Sequence, residues 1–356
     1  MGCFPFFGSS NKNADFVYST RIFPDRYKFA PNDKSLQNIK APKFTLEELE
    51  AATKNFGPEC LLGEGTLGRV FETHLDSINK VVAVKQLDPN NFKGNREFLV
   101  KVLRLSLLHD KNLVNLIGYC ADNNQRLLVQ EFMPFGSLKS HINKMPLDWN
   151  KRIKIAFEVA MGLDYLHNKT SPPLVHGDLK ASNVLLDEDY SVKLSDFGLA
   201  KLGPEDENGP NRFTGTIGYC APEFVITGET TMMSDVYSFG VIFLQLISGR
   251  EAFDLTRPIH ERNIVVWAQS LLGNRKNFSK IVDPLLKGYP LRGFHRALAI
   301  IGMCLVKEPS KRPVIGDIVV ALTLEFNMKY NDQIDHSDPH YEKTRIVAPH
   351  RKMYYD

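Results

Sequence analysis

The stretch VHGDLKASNVLL, residues 175–186, constrains this chain more than any other. It sets an acid, a lysine and an asparagine at 178, 180 and 183, directly before a β-branched run. Phosphoryl transfer asks for a carboxylate to orient the attacking hydroxyl, a cation near the moving phosphate and an amide oxygen for magnesium. Asp178, Lys180 and Asn183 suit those three tasks, and SDFGLA follows with Asp196, a second magnesium ligand on the same template.

Further segments fall in a matching order. GEGTLGRV places glycines at 63, 65 and 68 with Val70 behind them. A lone G-x-G-x-x-G is weak by itself and is often a plain hairpin turn. Here strand-like runs lie on both sides, which argues against a dinucleotide fold and for a hairpin covering phosphates. Lys85 follows in VAVK. A lysine in an apolar strand is costly to bury unless it meets an anion; ATP phosphate is one partner, and reaching solvent from an edge strand is the plainer alternative for Lys85 alone. GYCAPEF (218–224) and Asp235 in SDVYSFG complete the order, and Arg312 is available to pair with Glu223.

The coarse periodicity gives two lobes. FTLEELEAATKNF (44–56) opens with Thr45 and Glu48 in capping-box spacing. RVFETHL (69–75), VVAVKQL (81–87), NLIGYC (115–120) and RLLVQEF (126–132) read as strands of an antiparallel sheet. Among them, NREFLVKVLRLSLL (95–108) has the spacing of an amphipathic helix, with Phe98, Val102 and Leu105 on its apolar face and Lys101 at the border. Beyond it, residues 149–168, 234–249, 264–273 and 296–306 are helical patterns. The expectation is an α+β chain: a small sheet-rich lobe with one key helix, then a larger helical lobe.

Charge and cysteine content narrow the class. The net charge of +3 gives no case for nucleic-acid binding. Five scattered cysteines show neither a disulfide framework nor zinc spacing, which suits a reducing compartment. No apolar run is long enough to span a bilayer. Residues 1–43 hold a basic excess and read as a disordered tail, and residues 326–356 as a flexible polar one.

With these motifs together, the chain resembles a eukaryotic protein kinase over about residues 56–325. DLKASN resembles the Ser/Thr class. FTLEELEAATKNF, NLVNLIGYC, GTIGYCAPEF and SDVYSFGV resemble plant receptor-like kinases, and with MGCF at the start the chain is most similar to the PBS-like receptor-like cytoplasmic kinases of subfamily VII. The resemblance implies a bilobal fold within a 44–325 domain, its N-lobe at about 56–133 and C-lobe at about 134–325. It implies ATP and magnesium in the cleft, and transfer to Ser/Thr of protein substrates beneath receptor kinases at the cytoplasmic face of the plasma membrane. It implies a monomer or transient complexes. Carried over residue by residue, Asp178, Lys180 and Lys85 are catalytic. Nucleotide contacts fall to Leu62, Gly63, Glu64, Gly65, Thr66, Gly68, Val70, Ala83 and Lys85, to the hinge residues Glu131 and Met133, and to Asn183 and Asp196, which also take the metal. Gln130 stands at the gatekeeper place, where relatives usually have tyrosine.

Gly2 and Cys3 fit myristoylation and palmitoylation, although Phe6 stands where the pattern prefers Ser or Thr. A second chain or a basic patch must reinforce one acyl group, and Cys3 and the basic tail supply both.

Four departures bear on activity. Counting from Lys85, Lys101 occupies the place of the helix glutamate that in active kinases pairs with the strand lysine. Two like charges at about 4 Å would repel by about 4 kcal/mol at an effective dielectric of about 20, so the helix should rotate or Lys101 swing out, with Glu97 one turn earlier as a substitute. Gly177 replaces the arginine before the catalytic acid. Thr66 and Leu67 replace a glycine and an aromatic in the glycine-rich loop. The activation segment lacks the Ser-Thr pair that relatives often show and keeps Thr214 and Thr216 as phosphorylation candidates; Thr216 matches the threonine that contacts the catalytic acid. Lys85, Asp178, Lys180, Asn183 and Asp196 favour an active kinase with a loosened lysine clamp. Lys101, Gly177 and Thr66 favour a membrane-tethered pseudokinase scaffold.

Overall fold

The computed structural model describes residues 39–65, 67–88, 94–142, 147–198 and 215–324. Thr66 and Thr214, the lipidation candidates Gly2 and Cys3, and the tails before 39 and after 324 lie outside the described residues.

The chain enters through α1 (Leu46–Ala52), where Thr45 accepts the Glu48 backbone N–H at 3.1 Å. The reciprocal half of the expected capping box is absent, because the Glu48 carboxylate takes the Ser77 hydroxyl at 2.5 Å instead. Five antiparallel strands follow: β1 (Leu61–Gly65), β2 (Gly68–Leu75), β3 (Lys80–Leu87), β4 (Leu116–Cys120) and β5 (Leu127–Glu131), in the order β1-β2-β3-β5-β4. Alternation along β3 divides its side chains between two faces. Val82 and Val84 pack beneath α1 with Leu49 and Val129. Leu87, on the face it shares with Lys85, packs against Phe98 and Val102 of α2 (Asn95–Leu105). Phe98 and Val102 are wholly buried, each worth about 1.5–3 kcal/mol, and they fix α2 against the sheet so that Lys101 borders the cleft.

The second lobe is built on α3 (Trp149–Asp164), started by the Asp148 side chain accepting the Lys151 N–H at 2.8 Å, and on the buried α5 (Met232–Ser248), started by a complete Thr231–Ser234 capping box. Around them lie α4 (Pro222–Thr227), α6 (Ile264–Leu272), α7 (Leu291–Cys304) and a last helical segment at 315–324. A two-stranded ribbon, β6 (Val184–Leu186) with β7 (Val192–Leu194), rests on α3 and carries the polar loop of interest on its leading end. The sheet lobe joins it through backbone bonds, Val114 N–H to Leu194 O and Leu194 N–H to Asn112 O, both 2.9 Å.

A buried ion pair closes the second lobe. Arg312 meets Glu223 with two parallel bonds of 2.6 and 2.7 Å, and its remaining donors reach the Val306, Lys307 and Met233 carbonyls. The pairing expected from sequence is present.

Candidate active site

The loop 176–183 is held from below by one buried carboxylate. Asp235, on the first turn of α5, accepts the backbone N–H of Gly177 on Oδ1 at 2.9 Å and that of His176 on Oδ2 at 2.7 Å, and the same Oδ2 meets the His167 ring at 2.9 Å. Leu179 and Ala181 turn into the core on alternate sides of the polar residues. Core burial and the Asp235 anchor together turn Asp178, Lys180 and Asn183 to one side. Burial holds the His176 imidazole below its usual range, so it stays neutral beside the anchor.

Asp178 is gripped on three sides. The Thr216 hydroxyl donates to its Oδ1 at 2.9 Å, and the Lys180 ammonium lies 2.7 Å from its Oδ2. The Asn183 amide donates to its backbone oxygen at 2.9 Å. Lys180 also reaches Thr216 at 3.1 Å. With its Nδ2 so engaged, Asn183 has its carboxamide oxygen left to offer a cation. Asp196 stands in the left-handed backbone region, φ 63°, at the end of β7. Oxygen donors from one carboxamide and one carboxylate suit a hard divalent ion that keeps phosphate and water in its remaining positions. Among the described residues no group of three or more His, Cys, Asp or Glu forms a metal cage.

The glycine-rich turn closes the cleft from the sheet side. Gly65 pairs with Gly68 across β1–β2. Gly68 has φ 128°, and a Cβ there would stand 2.0 Å from the Gln86 carbonyl, so only glycine fits. Gly63 and Gly65 have open space where a Cβ would go, which leaves room for a ligand to approach their backbone. Val70 is the cross-strand partner of Lys85, and Ala83 lies two residues before it, so these three share the cleft face. Leu62 sits at the irregularity between Leu61 and Gly63, half exposed, and Glu64 pairs with Arg69. Leu67, in place of the aromatic cap, packs with the cluster of Leu87 and Phe98.

At the rear, Gln130 is buried beside Glu131 and Met133. Sequence reasoning gave Glu131 a backbone role alone. Its carboxylate also accepts the Asn115 N–H at 2.7 Å and pairs with Lys193 of β7 at 2.9 Å, tying the inter-lobe connection to the second lobe. Lys193 was missed because β6 and β7 are three residues each, too short to show a period.

Lys85 is buried and pairs with Asp196 at 2.5 Å. The repulsion expected between Lys85 and Lys101 is avoided by the second of the two expected routes: Lys101 turns away and donates to the Gly198 carbonyl at 3.3 Å. Lys85 takes its anion from the loop, while Glu97 acts on Lys101 and favours its charge. Burial outweighs Glu97 and lowers the Lys101 amine to about 7.

Residues 57–321 match the family described as protein kinase domain. The chain is 51% identical over 356 residues to serine/threonine-protein kinase PBL27 of Arabidopsis thaliana, covering 90% of this chain and 69% of that protein. It is 54% identical over 315 residues to serine/threonine-protein kinase PBS1 of the same plant, covering 86% and 69%, and 54% identical over 306 residues to the probable kinase PBL7, covering 84% and 81%. Among solved structures it resembles the pseudokinase domain of BIR2, described as an immune regulator of the RLK/Pelle family, with TM-score 0.69, 28% identity and coverage of 82% and 90%.

Proposed function

The chain belongs to the protein kinase family, and on that premise we propose that its cleft moves the γ-phosphate of ATP, with magnesium, onto Ser/Thr hydroxyls of signalling proteins. The observation that carries the reading is the setting of Asp178: one oxygen on Thr216, the other on Lys180, its backbone oxygen on Asn183. A carboxylate so fixed can accept a hydrogen bond from an incoming hydroxyl and orient its oxygen for in-line attack. Lys180 stands beside it to offset charge on the transferred group, and Lys85 presents its ammonium from β3 toward the nucleotide. Asn183 and Asp196 would hold the magnesium, which when bound would neutralise phosphate charge. Gly63 and Gly65 offer backbone to the phosphates, while Val70 and Ala83 line the adenine space with the backbone of Glu131 and Met133. Leu62, Glu64, Thr66 and Gly68 complete the loop.

Gly2 and Cys3 are proposed as acylation sites that hold the chain at the cytoplasmic face of the plasma membrane, beside the receptor kinases and protein substrates it serves. Among the described residues no helix is long and apolar enough to cross a membrane. Thr214 is proposed as an activating phosphorylation site. Phosphate on Thr216 would act in the opposite sense, because it would set a dianion against Asp178.

One observation favours a scaffold reading: Lys101 is engaged with Gly198, and among the described residues Lys85 pairs with Asp196 and not with a helix acid. Autophosphorylation with magnesium-ATP separates the two. Wild type is expected to exceed Asp178→Asn, and Lys101→Glu to exceed wild type about tenfold by restoring the helix-to-strand pair. A wild type no faster than Asp178→Asn leaves the scaffold reading standing.

A further inference from the structure

Gly198 is hydrogen-bonded from both lobes through a single residue. Its N–H donates to the His176 carbonyl at 3.1 Å, inside the loop that Asp235 anchors. Its carbonyl accepts from Lys101 at 3.3 Å, at the cleft border of α2. Gly198 lies two residues from Asp196, in the left-handed backbone region at φ 66°. A bond on each side therefore limits how far the segment 196–198 can swing.

We propose that Lys101 is a positioning residue: it fastens α2 to the head of the activation segment through Gly198, and so sets where Asp196 presents its carboxylate. The inference rests on the kinase reading of the site and names how that site is held. In this chain the helix acts on the metal ligand through a backbone carbonyl, and Lys85 is left to pair with Asp196 directly. A protonated and a neutral amine both donate hydrogen bonds, so the latch does not depend on the charge state of Lys101.

Two substitutions at position 101 separate this role from a merely vacant acid site. Methionine keeps the length and the apolar stem and removes the donor. Arginine keeps a donor within reach of the same carbonyl. The first readout is hydrogen–deuterium exchange of the full chain without nucleotide or metal. Lys101→Met is expected to raise exchange of the Gly198 amide severalfold, and Lys101→Arg to keep it near wild type. The second is the concentration of magnesium giving half-maximal ATP turnover. It is expected to rise about three- to tenfold in Lys101→Met, with KM for ATP nearly constant, and to be rescued by Lys101→Arg.

Unchanged exchange in Lys101→Met overturns the latch, whatever the activity. Raised exchange in Lys101→Met that arginine does not rescue also overturns it, because the loss then comes from packing and not from a donor. If no variant transfers phosphate above Asp178→Asn, the kinase reading fails, and the exchange measurement still decides whether Lys101 holds Gly198.

Discussion

Thr216 donates its hydroxyl to Asp178 at 2.9 Å, and Lys180 touches both residues. The three form a closed ring of charge-assisted contacts, in which the threonine ties the end of the activation segment to the acid of the catalytic loop. Replacing Thr216 by alanine frees one oxygen of Asp178 and unties the segment. Steady-state phosphorylation of a generic protein substrate is expected to show kcat down about 10–100-fold, the range for misplacing a reacting group by about 1 Å. Thr216→Ser keeps the hydroxyl and is expected to recover most of the rate. An alanine variant at wild-type rate would show that Lys180 and Asn183 suffice to hold the acid.

Arg312 and Glu223 are nearly 90 residues apart in sequence, and the guanidinium is fully buried. Removing one partner of a buried pair leaves the other charge uncompensated, at about 3–5 kcal/mol. Chemical denaturation of Arg312→Ala is expected to show a loss of that size. Glu223→Gln keeps an acceptor for the arginine and is expected to lose less. A full loss in Arg312→Ala with almost none in Glu223→Gln would place the cost in the arginine's carbonyl contacts instead.

Much of this was legible in sequence, and the reason differs by residue. Asp178, Lys180 and Asn183 are close along the chain, so their spacing exposed their convergence. Val82, Val84, Phe98 and Val102 declared their faces through the periods of two and near four. The Glu131–Lys193 pair and the grip of Asp235 on the His176 and Gly177 amides were hidden, since backbone donors leave no mark in side-chain chemistry and no period links the partners. Lys101 was read in the right place, but its partner was not readable: a carbonyl accepts from any donor, so no residue type at 198 announces the contact.

Gly177 stands where the resemblance expects an arginine before the catalytic acid. The backbone gives a reason for glycine there, because φ is 84°, in the left-handed region, where a side chain costs about 1–2 kcal/mol. Its N–H is meanwhile committed to Asp235 at 2.9 Å, so the loop cannot relax without losing its anchor. Gly177→Ala is expected to destabilise the protein by about 1–2 kcal/mol in urea while leaving the fold intact. Gly177→Arg should lose a similar amount. No loss in either variant would show that the loop shifts freely at 177.

The Lys101 amine is lowered to about 7 by burial, with Glu97 opposing the shift and Arg104 reinforcing it. From the other elements, Asp196 and Lys85 face the same part of the cleft, already paired with each other. In the unfolded chain the amine keeps its proton up to about 10.4. Below about 7 both states are charged, and the folded state carries the full penalty of burying that charge. As pH rises from there, the folded amine releases its proton while the unfolded chain retains it, so unfolding takes up a proton and stability increases with pH. The slope from this group has a ceiling of about 1.4 kcal/mol per pH unit, reduced because the side chain is not wholly shielded from solvent. Urea unfolding of wild type and Lys101→Met at pH 7, 8 and 9 isolates the group, since every other titration is common to both proteins. Wild type is expected to gain on the variant at each step. A difference that stays flat across the range would mean that the folded amine titrates near its ordinary value, and that its contact with Gly198 is made in water.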